Sequence, residues 1–115
     1  MHRPHAIGAA AEEQAARHLT ARGLRLLARN YRCKGGEIDL VMADGDTLVF
    51  VEVRARAPSR FGSAGESITA AKRARVVLAA RHYLASQRLD RPCRFDAVLL
   101  DGATLEWLRG AFEAG

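Results

Sequence analysis

Apolar residues recur at helical spacing in two segments of the chain, one near its start and one in its second half. The segment from Ile7 to Ala21 is rich in alanine, and Gly23 follows where a helix commonly ends. A second apolar stripe begins after Ser67 or Thr69, either of which is a good helix-capping residue, and continues to about Gln87. The pattern therefore predicts two helices.

Alternating or short apolar runs fill most of the remaining sequence and predict strands. The predicted strands are an outer strand at Leu24–Tyr31, a hairpin of Glu37–Ala43 and Thr47–Ala55, a strand at Phe95–Leu100, and a small edge strand at Leu105–Leu108. The second hairpin strand is apolar on both faces, so it belongs in the middle of a sheet. The predicted order is αβββαβ, with the small edge strand at its end.

The composition indicates one globular domain spanning residues 1–115. Hydrophobic residues make up 49% and charged residues 27%, which is unlike a disordered chain, and no apolar run is long enough to cross a bilayer. Acidic residues follow the first small-residue stretch at once, so we expect no secretory signal and a cytoplasmic location. The two cysteines, Cys33 and Cys93, are then expected to be free thiols.

The chain is basic, and arginine carries most of the charge. It has 18 basic and 13 acidic residues, a net charge of +5, and its only lysines are Lys34 and Lys72. Guanidinium groups bind phosphate through a planar fork of donors, so a nucleic-acid partner fits this composition. A basic protein without such a ligand fits it as well. The second helix is expected to have a basic exposed side, formed by Lys72, Arg73, Arg75 and Arg81.

Acidic residues interrupt the two apolar hairpin strands, where charged side chains are unusual. Glu37 and Asp39 are two residues apart in the first strand, and Glu52 and Arg54 are two apart in the second. In regular strands each pair shares a face of the sheet.

The turn between these strands decides whether the two faces coincide. A loop at Asp44–Gly45 sets Glu37 opposite Glu52, and a loop at Gly45–Asp46 sets Asp39 opposite Glu52. Either register gathers the three acids and the arginine on one face, whereas a three-residue loop would scatter them.

The expected crowding of carboxylates has two explanations. Two carboxylates about 5 Å apart repel by roughly 3 kcal/mol at an effective dielectric near 20, and a divalent cation such as Mg²⁺ or Mn²⁺ removes this repulsion. A salt-bridge network in which Arg54 neutralises the acids explains the same spacing without catalysis. Glu12, at the edge of the buried stripe of the first helix, would either join the acids or stay solvated in the first helical turn.

Several separated motifs resemble one family along nearly the whole chain, from about Gly8 to Phe112. The motifs are Gly36–Leu40, Phe50–Arg56, Phe61–Gly62, Lys72, Arg94–Asp96 and Glu106–Phe112. In this order they resemble the YraN-like uncharacterised protein family 0102. That family resembles the restriction-endonuclease-like nucleases of the PD-(D/E)xK class, and in particular the archaeal Holliday-junction resolvases. The resemblance implies an α/β fold with an αβββαβ core, in which helices flank a mixed central sheet.

The resemblance also implies a role for each matching residue. Asp39 and Glu52 match the two acids of the motif, which would hold Mg²⁺ or Mn²⁺ together with the Val53 carbonyl oxygen and Glu12. Arg54 stands at the basic position, where active nucleases of the class usually have lysine. Arginine keeps its proton near neutral pH, so it would orient water or stabilise phosphate charge and would not act as a base.

The implied function is metal-dependent hydrolysis of phosphodiester bonds in nucleic acid, in DNA rather than RNA and including branched DNA. Basic residues would hold the phosphate backbone, namely Arg32, Lys34, Arg56, Lys72, Arg73 and Arg75. The related resolvases pair, which implies a homodimer, and no membrane partner is expected. Two alternatives stay open: a binding module with a vestigial acid cluster, and an interaction protein whose arginines only keep it soluble.

Overall fold

The helices and strands are visible in a computed structural model that describes residues 6–56 and 68–114. The elements are α1 (Ala6–Ala21), β1 (Arg25–Cys33), β2 (Gly36–Asp44), β3 (Thr47–Arg56), α2 (Ala70–Gln87), β4 (Cys93–Asp101) and β5 (Thr104–Phe112). The described strands form one five-stranded sheet in the order β1-β2-β3-β4-β5, in which β3 and β4 are parallel and the other neighbours antiparallel. The predicted α/β core with a mixed central sheet is confirmed.

Helices cover the sheet on both faces, with β3 in the middle. On one face Val51 packs in a cluster with Leu19 of α1. On the other face Phe50 packs in a cluster with Val76 and Tyr83 of α2. The prediction that this strand lies mid-sheet is therefore confirmed, because its neighbouring residues are buried against different helices.

The last strand is longer than the sequence pattern predicts. β5 runs over Thr104–Phe112, whereas alternation indicates a strand only at Leu105–Leu108. Gly110 has a φ of 62°, and the ladder with β4 is irregular between Phe95 and Ala97. The irregularity breaks the two-residue period, which explains why the pattern finds only part of the strand.

Two expectations from composition can be compared with the described residues. Neither α1 nor α2 combines the length and the apolar character needed to cross a bilayer. Cys33 and Cys93 are free, as expected.

The start of α2 packs directly against the start of β2. Gly36 is buried, and a Cβ atom at this position would lie 2.6 Å from the Arg75 carbonyl oxygen and 2.9 Å from the Ala79 nitrogen. Thr69 is the N-cap of the helix, and its side chain accepts a hydrogen bond from the Lys72 N–H at 3.2 Å. Gly36 thus lets the first turns of α2 approach the acidic strands closely.

The hairpin of β2 and β3 has one of the two predicted registers. Asp44 pairs with Thr47, so the turn is Gly45–Asp46. The ladder runs as far as the pair of Leu40 and Val51. The next two positions along the strands are Asp39 and Glu52, so regular pairing of β2 with β3 ends at the acids.

The alternation of side chains along β2 also changes at this point. Leu40 packs on the α1 side of the sheet, whereas Ile38 packs with Val41 on the α2 side. A regular strand would place Ile38 and Leu40 on the same face. Asn30, which lies across from Asp39 in the β1–β2 register, has a φ of 49°. The prediction of one shared face assumed regular strands, and β2 is not regular at Asp39.

Candidate active site

Asp39 lies where β2 and β3 separate. Its Oδ2 accepts a hydrogen bond from the backbone N–H of Val53 at 2.8 Å, and the residue is buried. Backbone N–H groups of a strand point sideways within the sheet, toward the neighbouring strand. The Asp39 carboxylate therefore accepts the hydrogen bond that a backbone carbonyl of β2 would accept in a regular ladder. This bond holds the carboxylate beside the part of β3 that carries Glu52 and Arg54.

Glu52 is fully buried and surrounded by charge. Its Oε1 lies 2.7 Å from Nη2 of Arg54 and 3.4 Å from Nζ of Lys72. These are ion-pair distances, but neither carboxylate oxygen of Glu52 accepts a hydrogen bond of good geometry from the described residues. Buried polar atoms nearly always have such a partner, so the arrangement needs an explanation.

The environment of Glu52 opposes its ionisation. Its pKa is raised from 4.5 to about 8, first by burial and then by the negative charge of Asp39, while Arg54 and Lys72 act in the opposite direction. Near neutral pH the carboxyl group therefore holds its proton unless a further cation binds beside it.

Glu12 leans toward the sheet, which is the first of its two predicted placements. It lines a cavity of about 400 Å³ together with Asp39, Val53 and Arg54. The pKa of Glu12 is raised by burial and by the charge of Asp39, and a hydrogen bond with Asn30 opposes this shift. Helix α1 thus brings a third acid, Glu12, to the site from the face of the sheet that α1 covers.

Arg54 contacts two of the atoms predicted to bind a metal ion. Its Nη2 pairs with Glu52, and its Nη1 donates a hydrogen bond to the Val53 carbonyl oxygen at 3.1 Å. The salt bridge foreseen as the alternative to a metal site is therefore present in the structure. The side chain of Arg54 remains 23% exposed.

Lys72 faces the acids and not the exposed side of α2, where the helical pattern had placed it. Its Nζ lies 3.1 Å from Oε2 of Glu37 and 3.4 Å from Oε1 of Glu52, and only 18% of its side chain is exposed. The hydrogen bond with Lys72 lowers the pKa of Glu37, so Glu37 is ionised at neutral pH. The expectation of an exposed Lys72 is wrong because Gly36 brings this end of α2 so close to β2.

Four of the other residues predicted to hold the phosphate backbone are exposed, and two of these make a contact with another side chain. Arg32, Lys34, Arg73 and Arg75 are exposed. The guanidinium of Arg73 lies 6.0 Å from the centre of the Phe112 ring, and Nη2 of Arg75 lies 3.5 Å from Oε1 of Glu37. The side chain of Arg56 and the Phe61–Gly62 motif lie outside the described residues.

A third buried acid, Asp96, shows how this protein satisfies a buried carboxylate with hydrogen bonds. Arg94 donates to both oxygens of Asp96 at 2.9 and 3.0 Å, and the Trp107 indole and the Gly110 N–H each donate at 2.9 Å. Asp96 belongs to the motif Arg94–Asp96, but no role was predicted for it, although its position within an apolar strand is the same signal that identified Asp39 and Glu52. Asp96 is fully hydrogen-bonded, and Glu52 is not.

Oxygen atoms from two neighbouring strands are the kind of donor that a hard divalent cation takes. No group of three or more His, Cys, Asp or Glu residues within the described parts of the chain is arranged to hold a metal ion, so Glu12 does not complete a cage of acids. The smaller set of Asp39, Glu52 and the Val53 carbonyl suits Mg²⁺, which takes one or two carboxylates and keeps several waters. A cation bound to this set would explain why the two Glu52 oxygens accept no hydrogen bond from the described residues.

The sequence indicated no role for Asn30 and no partner for Glu37, whereas Thr69 was one of two predicted caps and is the N-cap of α2. Glu37 was grouped with the acids, but its contact with Lys72 depends on how α2 packs. Asn30 and Thr69 act through a left-handed φ and a helix cap, respectively. A capping signal at Thr69 was visible in the sequence, whereas the break at Asn30 had no clear signal.

The fold and the site together define a restriction-endonuclease-like α/β protein, with acids on two neighbouring strands at the point where these strands diverge. The chain belongs to the uncharacterised protein family UPF0102, whose sequence model matches residues 11–100. The family membership predicted from the motifs is confirmed.

Individual relatives are similar along almost the whole chain. A UPF0102 protein of Paracidovorax citrulli is 60% identical over 114 residues, which cover 96% of this chain and 84% of that protein. A UPF0102 protein of Dechloromonas aromatica is 60% identical over 109 residues, which cover 95% of this chain and 90% of that protein. A third, from Ralstonia pickettii, is 54% identical over 121 residues, covering 97% of each chain.

Proposed function

We propose that this protein is a metal-dependent endonuclease that hydrolyses phosphodiester bonds in DNA, including branched DNA. The observation that carries the proposal is Glu52, a fully buried carboxylate beside Asp39 whose two oxygens accept no hydrogen bond from the described residues. The ion pairs with Arg54 and Lys72 offset only part of the cost of burying Glu52 beside Asp39, since the pKa of Glu52 stays raised to about 8.

Asp39, Glu52 and the Val53 carbonyl oxygen would hold Mg²⁺ or Mn²⁺. Such an ion activates water and neutralises charge on a phosphate oxygen. Glu12, on α1, lines the same cavity as Asp39. It would form hydrogen bonds at the site and is not required as a ligand of the ion.

Hydrolysis of the ester exchanges one bond at phosphorus for another. The oxygen of a water molecule bonds to phosphorus, and the bond from phosphorus to one ester oxygen breaks. The water gives one proton to solvent and the leaving oxygen takes one, so the products are an alcohol and a phosphate monoester. Arg54 stabilises the growing charge on the phosphate and takes no proton, because its guanidinium stays charged throughout.

Basic residues near the site would bind the backbone of the substrate. Arg32, Lys34, Arg73 and Arg75 are exposed, and the chain carries a net charge of +5. Contacts of this kind fix the position of a duplex without reading its sequence. DNA is favoured over RNA through the resemblance to resolvases, and so is a homodimer that would present two sites to two strands.

The direct test is cleavage of linear and branched DNA in Mn²⁺. We expect the wild type to cleave, Asp39→Ala to fall to background, and Glu106→Gln, which removes an exposed acid on β5, to cleave like the wild type. Cleavage that survives Asp39→Ala would come from a contaminant. Absence of cleavage by the wild type on every DNA form would contradict the proposal.

Calorimetric titration with Mn²⁺ gives a readout that does not depend on cleavage. Heat of binding is expected for the wild type and for Glu106→Gln and is expected to vanish in Glu52→Ala. Equal heats in all three proteins would mean that the ion binds elsewhere.

A second candidate is a nucleic-acid-binding module without catalysis. Arg54 favours it, because the guanidinium already pairs with Glu52 and with the Val53 carbonyl oxygen. This candidate predicts DNA or RNA binding that weakens steeply with salt, with no cleavage and no response to Mn²⁺. The cleavage assay and the Mn²⁺ titration above separate it from the nuclease.

A further inference from the structure

The ammonium group of Lys72 lies between the two acidic strands and keeps a path to solvent. It contacts Glu37 at 3.1 Å and Glu52 at 3.4 Å, and 18% of the side chain is exposed. An ammonium group has three N–H donors, one of which is donated to Glu37. The contact with Glu52 uses one more at most, so at least one donor is left for an anion that enters the site.

Glu37 anchors Lys72 from outside the set of atoms proposed to bind the metal ion. The Lys72 Nζ donates a hydrogen bond to Oε2 of Glu37, and the N-cap Thr69 and the close approach at Gly36 fix the helix turn that carries Lys72. When a cation occupies Glu52, Lys72 loses one contact at most and remains in place.

Arg54 is placed differently from Lys72. It contacts both Oε1 of Glu52, at 2.7 Å, and the Val53 carbonyl oxygen, at 3.1 Å. These are two of the groups proposed for the metal ion, so Arg54 competes with the ion at both of its contacts, whereas Lys72 also holds Glu37, which lies outside the proposed set. Lys72 is therefore the cation that is already in position in the loaded site.

We propose that Lys72 is the catalytic ammonium of this site, binding a nonbridging oxygen of the scissile phosphate, and that Glu37 positions it. The inference rests on the proposed nuclease function. Lys72 reaches the site from α2, and its Nζ lies 3.4 Å from Oε1 of Glu52. It donates a hydrogen bond that strengthens as charge grows on the phosphate, and it transfers no proton.

The test is steady-state cleavage of DNA in Mn²⁺ by Lys72→Gln, with two matched charge deletions beside it. Lys72→Gln is expected to lower kcat by about 100-fold or more with little change in KM, as for an interaction made in the transition state. Lys34→Gln removes an exposed side chain that is proposed to contact the phosphate backbone of DNA, so it should instead raise KM. Arg17→Gln, which removes an exposed charge paired with Glu13, should match the wild type.

Further variants separate catalysis from folding. Lys72→Arg is expected to recover part of kcat, and Glu37→Gln to lower kcat by a smaller factor than Lys72→Gln. Mn²⁺ calorimetry should show binding to both Lys72 variants, since neither removes a proposed ligand. If Lys72→Gln does not fold, Glu37→Gln and Lys72→Arg decide the question.

The outcomes distinguish this inference from the proposed function. A wild type that cleaves while Lys72→Gln changes only KM, or while Glu37→Gln keeps the wild-type kcat, overturns the role of Lys72 alone. A wild type that cleaves no DNA overturns the nuclease function, and the role of Lys72 with it.

Discussion

At the scale of single residues, Glu52 couples the stability of the protein to pH. Its pKa is raised from 4.5 to about 8, so between these values the folded state holds a proton that the unfolded state has lost. The free energy of unfolding of the metal-free protein should therefore fall as the pH rises through this window, by roughly 1 kcal/mol per pH unit. The fall should level off above a pH of about 8.

Glu52→Gln should remove this dependence and raise stability at neutral pH. Urea unfolding at pH 5 and pH 8, with a chelator present, measures the effect. The wild type is expected to lose roughly 2 kcal/mol or more relative to the variant over this range. Glu106→Gln serves as the control and should follow the wild type. Parallel pH curves for the wild type and Glu52→Gln would show that Glu52 ionises as easily as an exposed glutamate.

Single residues also show how far the sequence could predict the site. Asp39 and Glu52 stand out because charge is rare within apolar strands, and both are buried in the structure. Lys72 was misplaced because the helical period gives the angle of a residue around its helix, but not the distance from that helix to the sheet. That distance depends on Gly36, whose role appears only when the two elements are packed together.

At the scale of elements, the contact between α2 and β2 brings Lys72 to the acids. Gly36→Ala should push these elements apart, because the new Cβ atom would meet backbone atoms of Arg75 and Ala79 within 3 Å. We expect a loss of about 1–3 kcal/mol in the free energy of unfolding, as for an overpacked core. Urea unfolding checks this.

Gly8→Ala is the matched control for this substitution. Gly8 is an exposed glycine in α1, and a Cβ atom there would meet nothing within 4 Å. This change should leave the protein as stable or slightly more stable, by up to about 1 kcal/mol. If Gly36→Ala is as stable as Gly8→Ala, the contact between α2 and β2 is looser than the distances indicate.

The hairpin of β2 and β3 was largely predictable, up to the position of the acids. The turn signal at residues 44–46 and the apolar alternation narrowed the register to two choices, one of which is present. The change of face between Ile38 and Leu40 was not predictable, because alternation assumes that every residue of a strand is extended and paired. The site lies where that assumption fails.

At the scale of the whole molecule, the positive charge predicts how binding to DNA responds to salt. If basic side chains hold the phosphate backbone, the affinity should fall linearly on a logarithmic salt scale. Lys34→Gln should make the slope shallower by about 0.9, the value for one phosphate contact, whereas Arg17→Gln should leave it unchanged. Fluorescence anisotropy with a short duplex in Ca²⁺ measures both. Affinity that does not depend on salt would favour the interaction protein whose arginines only keep it soluble.

The rims of the sheet limit how two copies of the chain could meet. β1 and β5 are the outermost described strands, and each is interrupted by a left-handed residue, Asn30 and Gly110. Such kinks break the row of free amide and carbonyl groups that a strand from another molecule would need as a template. The rims therefore disfavour fibre-like stacking of many copies into one continuous sheet.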